Sequence, residues 1–335
     1  MSVLFVSHPD TLSHEVAGHP ERPARLRAVE VGAEAAGLES ELRRVSARQA
    51  TAAEIGRVHS PDYVTALERF CRAGGGWLDG DTAAVPASWD AALRAAGSGL
   101  EAIERLDAGE AGAAFCAVRP PGHHALAARA MGFCLFNNVA VAAASLVARG
   151  ERVLLVDYDA HHGNGTQDTF YDDPRVVYVS FHQHPLYPGT GAVSETGAGE
   201  GRGTTLNIPL PPGATGDVYR AAIDELLGPV AQAFQPAWLL ISAGFDAHQR
   251  DPLCDLALSA GDYGDITADL VELVPEGRRL AFLEGGYDLE GLRDSAAAAL
   301  AALAGERLRP EQPTSGGPGR DVLEAVEAAH HQAVG

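Results

Sequence analysis

From about residue 111 onward, short runs of β-branched and other apolar residues alternate with longer Ala/Leu-rich stretches, and this alternation constrains the fold more than any other feature. Apolar runs of five or six residues suit strands buried on both faces. The stretches between them, with apolar residues three and four apart, suit helices that cover those strands. The pattern predicts strands at 113–118, 152–157, 176–181, 204–209, 237–242 and 279–283, and helices at 138–149, 216–233, 261–273 and 288–304. A strand–helix–strand repeat needs crossover connections, so the expected architecture is α/β, an open and mostly parallel sheet with helices on both faces.

Before residue 110 the pattern changes to one strand, Val3 to Val6, and helical segments near 22–37, 51–59, 61–73 and 88–106 that read as packing layers around the sheet. With 335 residues and 46% hydrophobic content the chain can bury one large core, so a single catalytic domain is expected over 1–305. The Pro- and Gly-rich stretch 306–320 reads as a surface linker to a short terminal helix, which makes 306–335 a tail.

A net charge of −20 would repel a phosphate backbone, which argues against nucleic acid as a partner. Cationic substrates fit it better, although a negative surface also serves solubility alone. Cys71, Cys116, Cys134 and Cys254 show no CxxC spacing and read as free thiols in a reducing compartment. The N-terminus lacks the basic and apolar regions of a signal peptide, and no stretch approaches a membrane span, so the expected location is the cytoplasm.

Five polar clusters follow the expected strands: RPPGHH, DYDAHHGNG, FHQH, SAGFDAH and EGGY. Open α/β sheets bind ligands beyond the carboxyl ends of their strands, so these distant segments should assemble one site. Asp157, Asp159 and His161 alternate at a strand end and can project in related directions. Asp159 and His161 could share a metal, although such pairs also cap helices. Asp246 strengthens the metal reading, because a carboxylate at the end of the nearly apolar LLISAGFDAH needs a cation or several donors to offset desolvation. Two carboxylates and an imidazole would leave zinc an open position, as catalytic sites do.

His123 and His124 are adjacent, so the Pro-Pro-Gly before them must turn both toward one centre if they are to act as acid and base. Asp157 and Asn164 are the candidates to orient them. Tyr287 follows two glycines, which permit close approach to a ligand, and its hydroxyl could stabilise an oxyanion.

Taken together, HPERP at 19–23, RPPGHH, GFCLFNN at 132–138, DYDAHHGNG, LYPGTG at 186–191, SAGFDAHQRDPL and LEGGY resemble the histone deacetylase and acetylpolyamine amidohydrolase superfamily, over about residues 8–304. The Asn in HHGNG and the LEGGY ending resemble its class II branch and bacterial relatives. The resemblance implies an arginase-like α/β fold and zinc held by Asp159, His161 and Asp246. It makes His123 and His124 the histidine pair, with Asp157 and Asn164 orienting them respectively, and Tyr287 the oxyanion donor. It further implies a potassium site at Asp157, Asp159, His161, Ser180 and Phe181, and part of a second at Phe170, Asp173 and Val176. Gly132, Phe133 and Tyr187 match the acyl-lysine channel, Leu253 a rim position, Asp81 a loop acid that contacts substrate, and Arg22 a buried arginine beneath the metal.

The activity implied is zinc-dependent hydrolysis of acylated amines, with one zinc per chain. An acetylated lysine peptide or protein is the leading substrate, because Leu253 is apolar where polyamine-preferring relatives can carry an acid; an acetylpolyamine or other small acyl-amine is the alternative. A binuclear manganese ureohydrolase would need bridging carboxylates, and here His162 and Gly163 follow His161 while SAGFDAH offers one acid instead of a pair. A non-catalytic acyl-amine binding or sensing module would be expected to have lost Tyr287, a ligand or the histidine pair, and all are present.

Overall fold

A computed structural model describes residues 1–335. The strands are β1 Val3–Ser7, β2 Leu42–Ser46, β3 Gly76–Trp77, β4 Ala83–Ala84, β5 Ala113–Cys116, β6 Val153–Asp157, β7 Val176–Gln183, β8 Thr205–Leu210, β9 Trp238–Ala243 and β10 Arg279–Leu283. The helices are α1 Ala24–Ala35, α2 Ala52–Ile55, α3 Pro61–Arg72, α4 Ser88–Asp107, α5 Asn138–Val147, α6 Asn164–Phe170, α7 Gly216–Ala222, α8 Gly228–Phe234, α9 Ala260–Val271, α10 Leu289–Leu303 and α11 Arg320–Val334. Eight strands form one sheet in the order β2-β1-β5-β10-β9-β6-β7-β8, and every neighbouring pair is parallel. Strands β3 and β4 make a small antiparallel pair apart from it.

Alternation along each strand divides the core into two layers. Leu154, Val156, Leu239 and Ile241 face one side, where they pack with α1, α7, α9, α10 and α11. Val153, Leu155, Trp238 and Leu240 face the other, against α3, α4 and α5. Every residue of β6, β9 and β10 is buried, which is why these segments read as continuous apolar runs.

The register brings the strand ends level: Asp157 of β6 lies opposite Ser180 of β7 and Ser242 of β9, and Ser242 lies opposite Phe282 of β10. Two helices near the site start at side-chain caps. The Asn137 side chain accepts the Ala140 N–H at the start of α5, and Asp288 accepts the Gly291 N–H at the start of α10, one residue after Tyr287.

The structure differs from the sequence reading in several places. The sequence Leu-Arg-Arg-Val-Ser forms edge strand β2, whose two arginines face solvent and break the apolar signature. Of the helix expected over 51–59 only one turn forms, capped by Thr51 and ended at Gly56. The helix expected over 216–233 is interrupted by a π turn at Ile223–Leu227. The stretch 306–319 is tied to the start of α9: Glu311 accepts the Ala260 N–H at 2.9 Å, and the Thr314 hydroxyl donates to Asp262 at 2.7 Å. Leu323 and Val326 of α11 are buried in the core.

Candidate active site

Asp157 ends β6, Asp159 and His161 follow it, and Asp246 lies just beyond the neighbouring strand β9. The donor atoms of Asp159, His161 and Asp246 lie within 4.8 Å of one another, with His161 Nδ1 2.9 Å from Asp246 and 3.1 Å from Asp159. Both carboxylates are aimed by backbone: Asp159 accepts the N–H groups of Gly285 (2.8 Å) and His161 (2.9 Å), and Asp246 accepts that of Ala160 (2.7 Å). A Cβ on Gly285 would collide with both carboxylates. That close approach accounts for the first glycine of EGGY.

This floor gathers negative charge away from water. Asp157, Asp159, Asp246 and Glu284 are all essentially inaccessible. Burial and then the neighbouring Asp159 push the Asp246 carboxyl up, whereas His123 and His161 outweigh burial at Asp159 and hold it well below the usual range. Buried like charges of this kind call for a cation, and two carboxylates with one imidazole suit zinc with a position left open. His162 is turned out of the cluster, facing Thr190 Oγ1 at 2.7 Å and Gln167 Oε1 at 3.0 Å.

His123 and His124 converge after all, their ring centroids 4.0 Å apart. His123 Nδ1 lies 2.9 Å from Asp157 Oδ2, and His124 Nδ1 2.8 Å from Asn164 Oδ1. Both oxygens accept, so each imidazole carries a proton on Nδ1. Burial opposes the charged form of each ring. At His123 the charges of Asp157 and Asp159 outweigh it and raise the pKa to about 10. At His124 nothing comparable intervenes, and burial followed by the charges of His123 and His161 holds the pKa well below the usual value. The surroundings thereby favour the charged form of His123 and the neutral form of His124.

Tyr287 is fixed from both sides. Its N–H donates to Asp251 at 2.6 Å, and the Arg25 guanidinium lies 4.8 Å from its ring centroid. Burial drives the phenol well above its ordinary pKa, so the hydroxyl keeps its proton. Arg25 also donates to the carbonyls of Gly286 and Glu284 and pairs with Glu21, which in turn pairs with Arg119. This corrects the assignment of Arg22, which is exposed. Arg22 precedes α1, while Arg25, three residues on, lies in its first turn on the face toward the sheet.

A cavity of about 210 Å³ opens above the floor. Asp81, Gly132, Phe133, Leu186, Tyr187 and Leu253 form its upper walls, and His123, His124, Asp159, His161 and Tyr287 its base. Tyr187 stands edge-on to His124 at 5.2 Å and Phe133 edge-on to Tyr287 at 5.8 Å. Ser180, beside Asp157 in the register, has its hydroxyl 3.0 Å from His182 Nδ1, and Phe181 stacks on Tyr219. Phe170, Asp173 and Val176 sit in consecutive turns closed by N–H donation from Asp173 to Phe170 and from Val176 to Asp173.

Sequence reasoning overlooked Glu284. One of its oxygens accepts the N–H groups of Gly122 (2.6 Å) and His123 (3.2 Å), which holds the turn carrying the histidine pair. Burial pushes its carboxyl up to about 7. The acid was visible in EGGY, but only the adjacency of β5 and β10 reveals what it touches.

The fold and this site define a histone deacetylase-family protein: the family model for the histone deacetylase domain matches residues 19–303, and the chain belongs to that family. It is 41% identical to a probable deacetylase of Archaeoglobus fulgidus over 90% of this chain and 86% of the relative. It is 36% identical to a histone deacetylase-like amidohydrolase of Pseudomonas aeruginosa, over 92% and 81%. The crystal structure of the HDA15 HD domain superposes with a TM-score of 0.91 at 36% identity, covering 99% of this chain and 95% of that one. The family makes the chain a deacetylase or related amidohydrolase.

Proposed function

We propose that the chain is a zinc-dependent hydrolase of acylated amines whose preferred substrate is acetyl-lysine in a peptide or protein. The observation that carries this reading is the Asp159–His161–Asp246 donor set at the foot of the cavity, beside the paired rings of His123 and His124. Zinc held by those three side chains would supply Lewis-acid polarisation of the amide carbonyl and a water of lowered pKa. His124, neutral and oriented by Asn164, takes a proton from the attacking water at Nε2. His123, kept protonated by Asp157, delivers its Nε2 proton to the leaving amine as the C–N bond breaks. The Tyr287 hydroxyl donates to the oxygen that becomes negative in between.

Phe133 and Tyr187 offer flat apolar faces to a four-carbon stem, and Leu253 adds an apolar side chain at the rim where an acid would favour a polycation, which supports acetyl-lysine. We also propose a potassium ion where Asp157, Asp159, His161, Ser180 and Phe181 meet, offsetting part of the buried negative charge, and a second near Phe170, Asp173 and Val176. A cytoplasmic location is proposed from four unpaired cysteines and from the absence of any helix long and apolar enough to cross a membrane.

The test is metal analysis of the purified protein together with kcat/KM for acetyl-lysine peptides, N-acetylputrescine and acetylspermidine. One zinc per chain and a peptide preference are expected. Two transition-metal ions per chain would overturn the mononuclear reading, and a preference for the polyamines would overturn the substrate.

A further inference from the structure

Met131 and Cys134 exchange backbone hydrogen bonds at 3.2 and 2.9 Å across a tight turn whose central residues, Gly132 and Phe133, both have positive φ, 54° and 68°. Two left-handed residues in succession make a type I′ turn. At Gly132 a side chain is excluded, since a Cβ would collide with the His124 imidazole. Phe133 adopts this conformation despite carrying a side chain, and apart from Gln235 no other non-glycine residue of the chain has positive φ.

The turn leaves the Phe133 N–H without a backbone partner. That N–H donates to Thr82 Oγ1 at 3.0 Å, and the Thr82 hydroxyl donates onward to Asp81 Oδ1 at 3.0 Å. Thr82 is wholly buried, and its own N–H is held by Asp79 at 2.7 Å. One hydroxyl therefore joins two cavity-lining residues from segments remote in sequence, and each of its hydrogen bonds depends on the other for direction.

We infer that Thr82 is a positioning residue, which holds Phe133 in its left-handed conformation and aims the Asp81 carboxylate into the mouth of the channel. The inference rests on the proposed acyl-amine hydrolysis. Its effect falls on substrate capture, because Thr82 touches neither the floor carboxylates nor the histidine pair.

The experiment compares zinc-loaded wild type, Thr82→Val and Thr82→Ser on an acetyl-lysine peptide, recording KM, kcat, zinc content and thermal midpoint. Valine keeps the shape and removes the hydroxyl; it should raise KM about tenfold, equivalent to about 1.4 kcal/mol, with kcat and zinc nearly unchanged. Serine keeps the hydroxyl and should restore KM to near the wild-type value. An unchanged KM in Thr82→Val overturns the inference, including when kcat or the thermal midpoint falls, because a structural role reduces the active fraction without altering KM. If the valine variant does not fold, Thr82→Cys takes its place, with a raised KM supporting the inference and a wild-type KM overturning it. Wild-type turnover separates the two readings, since an inactive zinc-loaded wild type would count against the proposed function instead.

Discussion

The floor of the cavity and its rim are built by different means. Asp157, Asp159, Asp246 and Glu284 stand at or just past the ends of adjacent parallel strands, buried and aimed by backbone N–H groups. Asp81, Phe133, Tyr187 and Leu253 stand on turns and loops and are at least partly open to solvent. A rigid sheet edge can hold like charges close together, which is what metal binding and proton transfer require. Loops tolerate sequence change, which suits selection among substrates. The comparison teaches that floor substitutions should remove metal or turnover, whereas rim substitutions should change recognition and leave the metal in place.

The largest effect is expected at Asp246. Replacing it with alanine removes one ligand and leaves Asp159 and His161 as an incomplete set, so metal and activity should disappear together. An Asp246→Ala protein that still turns over substrate after chelation would falsify the assignment of the floor.

Tyr287→Phe should lower kcat by roughly 10²–10³, the loss expected for one oxyanion donor, with full zinc occupancy. Near-normal turnover in the metal-loaded variant would reduce Tyr287 to packing against Arg25.

On the rim, Phe133→Ala or Tyr187→Ala should lower kcat/KM by about tenfold, mainly through KM, the scale of one lost aromatic contact. Loss of zinc from either variant would erase the distinction between rim and floor, and unchanged kinetics would move the channel elsewhere.

The smallest effect sharpens the division within the histidine pair. Asn164→Asp places a negative charge beside His124, stabilises its protonated form and raises its pKa. A general base works only when unprotonated, so the acidic limb of kcat/KM should move to higher pH, by about one unit for about 1.4 kcal/mol of added interaction. Because the two rings titrate together, the direction is the quantity to test. A limb that stays in place or moves to lower pH in the fully metallated variant would mean that His124 is not the base.

Within the site, legibility followed distance along the chain. Asp157, Asp159 and His161 lie close in sequence at and just past the end of an apolar run, so their spacing alone places them together. The same reasoning found β6, β9 and β10, whose residues are buried on both faces, and missed β2, whose exposed arginines disguise an edge strand. The family resemblance placed the buried arginine at Arg22, because motif matching does not say which residue near the start of α1 faces the sheet.

The sequence by itself determined the donor types, the strand–helix alternation and the caps that begin α5 and α10 beside the site, since each depends on interactions within a few residues. Only the tertiary structure decided that Asp246 meets His161, that Glu284 holds the turn before the histidine pair, that Arg25 lies against Tyr287, and that Thr82 joins Asp81 to Phe133. Apart from the Thr82–Asp81 bond, these contacts span segments far apart in the chain. Those of Asp246 and Glu284 exist because the parallel sheet sets β5, β10, β9 and β6 side by side in an order unlike their order in sequence. Local periodicity identifies a strand, but its neighbours are chosen by how all the helices and strands bury their apolar faces at once.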